Sequence, residues 1–307
     1  MNDVIILGSG PAGLTAALYC ARAGKSALVL GGDQLGGQMA TIAELENYPG
    51  FLGSGQELSE KMKAQAEQFG AKIIFETATK IEKIDSGFSV KTSVPSPVIP
   101  AKAGTPVPSH DSRSVIIATG ASPRKLEIAG MREFMGRGVS YCATCDGFFY
   151  GGKDILVIGG GNSALNDALY LANIAKSVKI LYRKDSFARA EQVLIDRVSA
   201  AENISVMWNT ELAQVGGDDS GVTFAITTGG EKIECDGIFV AIGHEANTDY
   251  LSESIKRDNM GRLIPDALPA GMFVAGDVRA GLKMQIATAV GTGCDVAMDA
   301  VAYLNSK

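Results

Sequence analysis

Twice in this chain a short apolar run stops at a glycine-rich turn, passes into a helical stretch and returns to a second apolar run. Residues 3–7 read as a short buried strand, apolar and largely β-branched after Asp3, that ends at Gly8. Gly8-Ser9-Gly10-Pro11-Ala12-Gly13 follows, then an alanine-rich helical stretch over 14–23 and an apolar run over 27–30. The order is strand, G-x-G-x-x-G, helix, strand. In that context the glycines have separate tasks: a tight turn, close approach of the backbone to a pyrophosphate, and close packing of helix on strand. The helix N-terminus points unpaired N–H groups and a positive dipole end at the phosphates. The pattern returns with a strand over 154–158, then Gly159-Gly160-Gly161-Asn162-Ser163-Ala164, a helix over 165–175 and a strand over 178–181. Two such units predict an α/β chain of two Rossmann-like, three-layer dinucleotide-binding domains. A structural turn, or one live site and one decayed copy, is the rival reading. The candidate contacts are Gly8, Gly10, Pro11, Ala12 and Gly13 in the first unit. In the second they are Gly159, Gly161, Asn162, Ser163 and Ala164.

The end of the second strand in each unit speaks to the nucleotide. An acid there suits the free ribose hydroxyls of NAD, whereas a cation suits the 2′-phosphate of NADP. Tyr182-Arg183-Lys184 follows the second unit's strand, with Arg189 five residues on. Arg183, Lys184 and Arg189 therefore favour NADPH over a merely solvated basic loop. In the first unit the strand runs into Gly31-Gly32-Asp33, with no acid directly at its end.

The net charge of −6 argues against nucleic acid as a partner. No run of 18 apolar residues is present, so no membrane span is expected, and the N-terminus enters a strand without a basic n-region. A cytoplasmic location is the expectation. The first domain reads as discontinuous, 1–120 with 244–307, and the second as 121–243. Residues 94–111 hold five of the chain's ten prolines. Proline cannot donate to a strand ladder, so this segment reads as an exposed, poorly ordered insertion with His110 solvated. A partner-binding loop is its functional alternative.

Of five cysteines only Cys142 and Cys145 are close in sequence, so this is no secreted disulfide framework. C-x-x-C sets two sulfurs on one face of a helical turn, close enough for a small disulfide ring. Redox chemistry is the favoured reading. Half of a zinc site would need a second ligand pair, and the only histidines are His110 and His244. An inert structural pair is the third reading. Cys20, Cys235 and Cys294 read as packing residues.

Cys142-Ala143-Thr144-Cys145-Asp146-Gly147 resembles the redox motif of the low-molecular-weight thioredoxin reductases, and the resemblance runs in order along nearly the whole chain. Gly36-Gly37-Gln38 and the Asn47 loop resemble that family's flavin-side loops. Ala118-Thr119-Gly120, Gly276-Asp277 and Met284-Gln285-Ile286 resemble its FAD contacts. The resemblance implies a homodimeric flavoprotein in which NADPH reduces FAD, FAD reduces the Cys142–Cys145 disulfide, and the dithiol reduces thioredoxin. It makes Cys142 the thiol that attacks thioredoxin, Cys145 the flavin-side sulfur and Asp146 the acid/base, with a helix cap as the plain reading of Asp146. It also implies a rotation of the domains about the crossovers near Gly120 and Gly243. There are departures. Tyr182-Arg183-Lys184 stands where the family often has His-Arg-Arg, one residue is added near Ala188, and Met284 replaces a frequent Arg. Two alternatives stay open: a related flavoenzyme with another disulfide partner or electron donor, and a redox-responsive nucleotide-binding regulator. Ferredoxin–NADP reductases of similar fold lack the cysteine pair.

Overall fold

The element order follows from where apolar runs are continuous and where they alternate. The protein is seen in a computed structural model that describes residues 1–42, 44–93, 108–188 and 190–307. From the N-terminus the chain forms β1 (Asn2–Leu7), α1 (Pro11–Arg22), β2 (Ala27–Leu30), α2 (Gly55–Gln68), β3 (Lys72–Ile74), β4 (Thr77–Ile84), β5 (Gly87–Ser93), β6 (Ser109–Ile117) and β7 (Ala121–Pro123). The middle of the chain adds β8 (Val139–Ser140), α3 (Ala143–Asp146), β9 (Asp154–Ile158), α4 (Asn162–Ala172), β10 (Ser177–Tyr182), α5 (Gln192–Ala200), β11 (Ile204–Trp208), β12 (Leu212–Asp218), β13 (Gly221–Thr227), β14 (Lys232–Glu234) and β15 (Gly237–Val240). The return contributes β16 (His244–Ala246), β17 (Met272–Val274) and α6 (Ile286–Asn305). The chain divides into two compact units, 1–122 with 245–307, and 123–244.

In the first unit one sheet runs β3-β2-β1-β6-β5-β4, with β17 also on β6. β1 is parallel to β2 and β6, whereas β5 is antiparallel to β4 and β6. From Val4 to Leu7 β1 is apolar without interruption because both its faces are covered there. Val4 and Ile6 face a core shared with α1 and α6, and Ile5 and Leu7 face a second core on the other side of the sheet. α1 meets α6 through small residues: Ala16, Ala17, Ala297 and Ala300 are all fully buried.

The second unit repeats the logic. Its parallel sheet runs β11-β10-β9-β15-β8. Ile155 and Val157 of β9 pack toward α4 and α5, while Leu156 and Ile158 pack toward β12 and β13. β12, β13 and β14 form a small antiparallel sheet that covers that face. The result is two Rossmann-like α/β units. Among the described residues no helix is long and apolar enough to cross a membrane.

One expectation needs correction. Ser109, His110 and Asp111, assigned from sequence to the insertion, open β6 and pair with Lys91, Val90 and Ser89 of β5. His110 is half-buried, and its Nε2 lies 2.8 Å from Glu76 Oε2. The Thr92 hydroxyl donates to the same oxygen. The neighbouring strand and this side-chain cluster, rather than local propensity, draw the polar triplet into the sheet. Pro108 is also described, its carbonyl accepting the Thr92 N–H at 2.9 Å, and the remainder of the insertion, 94–107, lies outside the described residues.

Candidate active site

The first fingerprint forms the turn between β1 and α1. Gly10 is the N-cap of α1 and Pro11 its first residue, with no side chain bonded to the free N–H groups of the first turn. The turn is packed from beneath. A Cβ at Gly13 would lie 1.9 Å from the Gly8 carbonyl oxygen, and one at Gly8 would lie 2.3 Å from the Ala118 oxygen. Ala12 meets Gly276, where an added Cβ would come within 2.9 Å of the Ala12 methyl. On the outer side the Gly36 N–H donates to the Ser9 carbonyl at 3.0 Å. A Cβ at Gly37 would stand 3.8 Å from Gly10 Cα. Gly8 to Gly13, Gly36, Gly37, Ala118 and Gly276 thus converge.

Other candidates of this unit pair up at longer range. Asn47 Nδ2 donates to Gln285 Oε1 at 3.3 Å, and Gln38 Nε2 donates to the Ala121 carbonyl. Gln285 is the N-cap of α6 and Ile286 its first residue, again with no side-chain cap, and Met284 precedes them half-buried. The Thr119 hydroxyl donates to the Asn247 carbonyl at 2.8 Å, and the Gly120 carbonyl accepts the Asn247 N–H. Asp277 is half-buried beside Gly276, and burial lifts its carboxyl to about 6.

The second fingerprint repeats the construction between β9 and α4. A Cβ at Gly159 would lie 2.2 Å from the Ala241 oxygen and 3.0 Å from the Ala164 methyl. Gly161 is the uncapped N-cap of α4, with no atom within 4 Å of where its Cβ would be. Asn162 is held by two hydrogen bonds with Glu191: its Nδ2 donates to Oε1 at 2.7 Å, and its Oδ1 accepts the Glu191 N–H at 2.8 Å. Ser163 is exposed. Arg183 and Lys184 leave the end of β10 exposed, and the Lys184 carbonyl accepts the Asn209 N–H at 3.1 Å. Arg189 lies outside the described residues. Tyr182, read as a departure in sequence, is buried with its ring against Gly160.

Both cradles fit a dinucleotide. Each has backbone closing one side of the turn, an open glycine at the helix N-cap, and first-turn donors that no side chain satisfies. The contrast between Gly13 and Gly161 gives a test of the packing. Gly13→Ala drives a methyl into backbone that cannot yield, so it destabilises by about 1–3 kcal/mol and lowers Tm by roughly 2–10 °C. Gly161→Ala meets open space and leaves Tm within about 1 °C. Thermal unfolding of the two variants checks both.

The cysteine pair belongs to the second unit. Cys142 and Cys145 are joined as a disulfide with Cα atoms 5.3 Å apart. Cys142 is the N-cap of the short helix α3, and its sulfur accepts the Cys145 N–H at 3.2 Å. The Ser140 hydroxyl accepts the Cys142 N–H at 3.0 Å, and Thr144 Oγ1 lies 3.5 Å from the Cys142 sulfur. Cys142 is half-buried and Cys145 exposed. The turn is seated on α4, since a Cβ at Gly147 would meet Leu171 and Tyr170 at 3.0 and 3.1 Å. The Asp146 carboxylate has no hydrogen bond to either sulfur among the described residues. Burial, and then its charge, raise the Tyr150 phenol.

A profile of the pyridine nucleotide-disulphide oxidoreductase family matches residues 2–293. The chain belongs to that family. It is an oxidoreductase, and membership implies a flavin and a pyridine nucleotide as cofactors. Within the family it is 40% identical to a thioredoxin reductase of Rickettsia felis, over 99% of this chain and 98% of the relative. It is also 40% identical to a bifunctional thioredoxin reductase/thioredoxin of Mycobacterium leprae, covering 99% of this chain and 66% of that one. The crystal structure of Lactococcus lactis thioredoxin reductase, in its FR conformation, superposes over all of both chains with a TM-score of 0.91 at 37% identity.

Two features of this oxidoreductase's site escape sequence reasoning. Thr144 lies beside the Cys142 sulfur and Ser140 holds the Cys142 backbone, and neither follows from any spacing rule. Phe148 and Phe149, directly after the cysteine motif, are 81% and 69% exposed, although aromatic residues read as core. Their rings meet edge to face at 6.1 Å. Large apolar groups left in water beside a redox centre are the one available signal, and only the folded chain reveals it.

Proposed function

We propose that the protein is an NADPH-dependent thioredoxin-disulfide reductase that holds FAD in its first unit and NADPH in its second. The observation that carries the reading is a Cys142–Cys145 disulfide at the surface of a nucleotide-binding unit, next to two exposed aromatic rings. The bifunctional thioredoxin reductase/thioredoxin of Mycobacterium leprae, which joins the two activities in one chain, supports thioredoxin as the partner. A homodimer is part of the reading, and light scattering measures it.

FAD, when bound, supplies the two-electron step between NADPH and the disulfide. The chain's own residues do the rest. Gly10 and Gly161 admit pyrophosphates to the N-termini of α1 and α4. Arg183 and Lys184 offer paired charges to a 2′-phosphate. In the reduced site the Cys145 N–H directed at the Cys142 sulfur favours its thiolate. That thiolate attacks one sulfur of the thioredoxin disulfide, and the other leaves as a thiolate. Cys145, its proton taken up by Asp146, then attacks the Cys142 sulfur of the mixed disulfide. Reduced thioredoxin departs and the Cys142–Cys145 bond is restored.

Phe148 and Phe149 fit a docking surface for the protein substrate. Changing both to Ala is expected to raise KM for thioredoxin about tenfold and to leave turnover of a small disulfide unchanged. Equal losses with both acceptors would remove these rings from docking. The reading as a whole is tested by steady-state assays that cross NADPH and NADH with thioredoxin and other disulfides. NADPH-preferring reduction of thioredoxin is the expected result. Flavin reduction without transfer to any disulfide would favour a redox-responsive regulator instead.

A further inference from the structure

A cavity of about 530 Å³ opens on the second unit between α5 and β11, the edge strand of the parallel sheet. That is within the usual range for small-molecule sites, roughly 300–1,000 Å³. Its walls are the rings of Phe187 and Trp208, with centroids 4.5 Å apart, and the aliphatic side chains of Ile195 and Val206. Asp185 and Ser199 bring polar groups to it, and no cation is among the described residues that line it. We propose that this cavity is an effector site for a small planar aromatic cation, and that its occupant alters pyridine-nucleotide binding. The proposal rests on the reading of this unit as the NADPH site.

The chemistry of the walls selects the ligand. Flat aromatic faces and aliphatic side chains favour a planar apolar ring. The Trp208 face and the Asp185 carboxylate both favour a positive group on that ring. Trp208 is 39% exposed, so a large indole is only partly covered by the protein itself.

Two connections lead from the cavity to the nucleotide cradle. Phe187 stacks on Tyr182 with centroids 5.7 Å apart and planes 25° apart, and the Tyr182 ring is seated against Gly160 of the fingerprint. The second is through the backbone. Asn209, next to Trp208, donates its N–H to the Lys184 carbonyl, and Thr210 donates to that of Tyr182, each at 3.1 Å. A ligand that repositions Trp208 and Phe187 therefore acts on the segment that presents Arg183 and Lys184.

Trp208 is the only tryptophan in the chain, so its fluorescence reports on the cavity alone. The test titrates the holoenzyme with benzamidine and, separately, with neutral benzamide. Benzamidine should give a saturable change with a dissociation constant on the order of 1 mM. Benzamide should bind about tenfold more weakly, and Asp185→Asn should abolish that difference. Ser199→Phe, which fills the cavity, should remove binding. Saturating benzamidine should shift the dissociation constant for NADPH by about threefold or more, and NADPH should shift that for benzamidine by the same factor. A linear response that persists in Ser199→Phe would overturn the site. Saturable benzamidine binding with unchanged NADPH affinity would overturn its effector role. Failure of NADPH to bind even without benzamidine would count against the nucleotide assignment instead, and the benzamidine titration separates the two.

Discussion

Changing Cys145 to Ser is expected to lower NADPH-dependent thioredoxin reduction by on the order of 10³-fold or more, while Cys142 still captures thioredoxin as a stable mixed disulfide. A single thiol can open the partner's disulfide but cannot resolve the product. Changing Cys142 to Ser should abolish turnover equally and trap little partner. The asymmetry follows from what touches each sulfur. The Cys142 sulfur accepts an N–H at the start of α3 and has the Thr144 hydroxyl 3.5 Å away. Such donors stabilise a thiolate, and the thiolate is the nucleophile. Cys145 is the more exposed of the two, and area alone would assign the roles the other way. Thiolate fraction outweighs area here, because exchange rates follow the attacking thiolate once the partner can reach it. The check is to mix each variant with thioredoxin carrying an activated disulfide and compare covalent adducts on a non-reducing gel. More adduct with the Cys142 variant would reverse the assignment.

Neutralising Arg183 and Lys184 together should raise KM for NADPH roughly 10- to 100-fold and leave KM for NADH within about twofold. Both side chains stand exposed at the end of β10, where the nucleotide's second ribose is expected from the position of the fingerprint. A doubly charged phosphate gains charge-assisted bonds from each cation, but water and salt screen them, which sets the lower end of the range. Raising ionic strength should narrow the gap between the two coenzymes. Steady-state kinetics of both coenzymes at low and high salt measures this. Equal losses for NADH and NADPH would show that the two residues support the fold of the loop and not the phosphate.

The fold was legible where the chain obeys one rule over several residues. Val4–Leu7 of β1 and Ile155–Ile158 of β9 are apolar at every position because cores lie on both their faces, and each run ends in a glycine turn that leads into a helix start. The second fingerprint, which begins at Gly159, lies between the two parts of the first unit, 1–122 and 245–307. What could not be read depends on distant partners. Ser109-His110-Asp111 looks like loop, yet β5 and Glu76, sixteen and more residues away, make it strand. Tyr182 looks like a lost cation, but its ring fills the space over Gly160. Asn47 and Gln285 share no local pattern and meet only because the return of the chain sets α6 beside the Asn47 loop. Phe148 and Phe149 carry the composition of a core and stand in solvent.

The central claim is that electrons pass from NADPH through a flavin to the Cys142–Cys145 pair and on to thioredoxin. It is tested most directly by anaerobic titration of the purified protein with NADPH, followed by oxidised thioredoxin, while the visible flavin absorbance is recorded. The wild-type chain should take up about two equivalents of NADPH, one for the flavin and one for the disulfide, and Cys145→Ser about one, because each is a two-electron couple. Thioredoxin should then return the flavin of the wild type to its oxidised spectrum and leave that of Cys145→Ser bleached. Uptake of one equivalent by both proteins, or reoxidation by thioredoxin in both, would contradict the account.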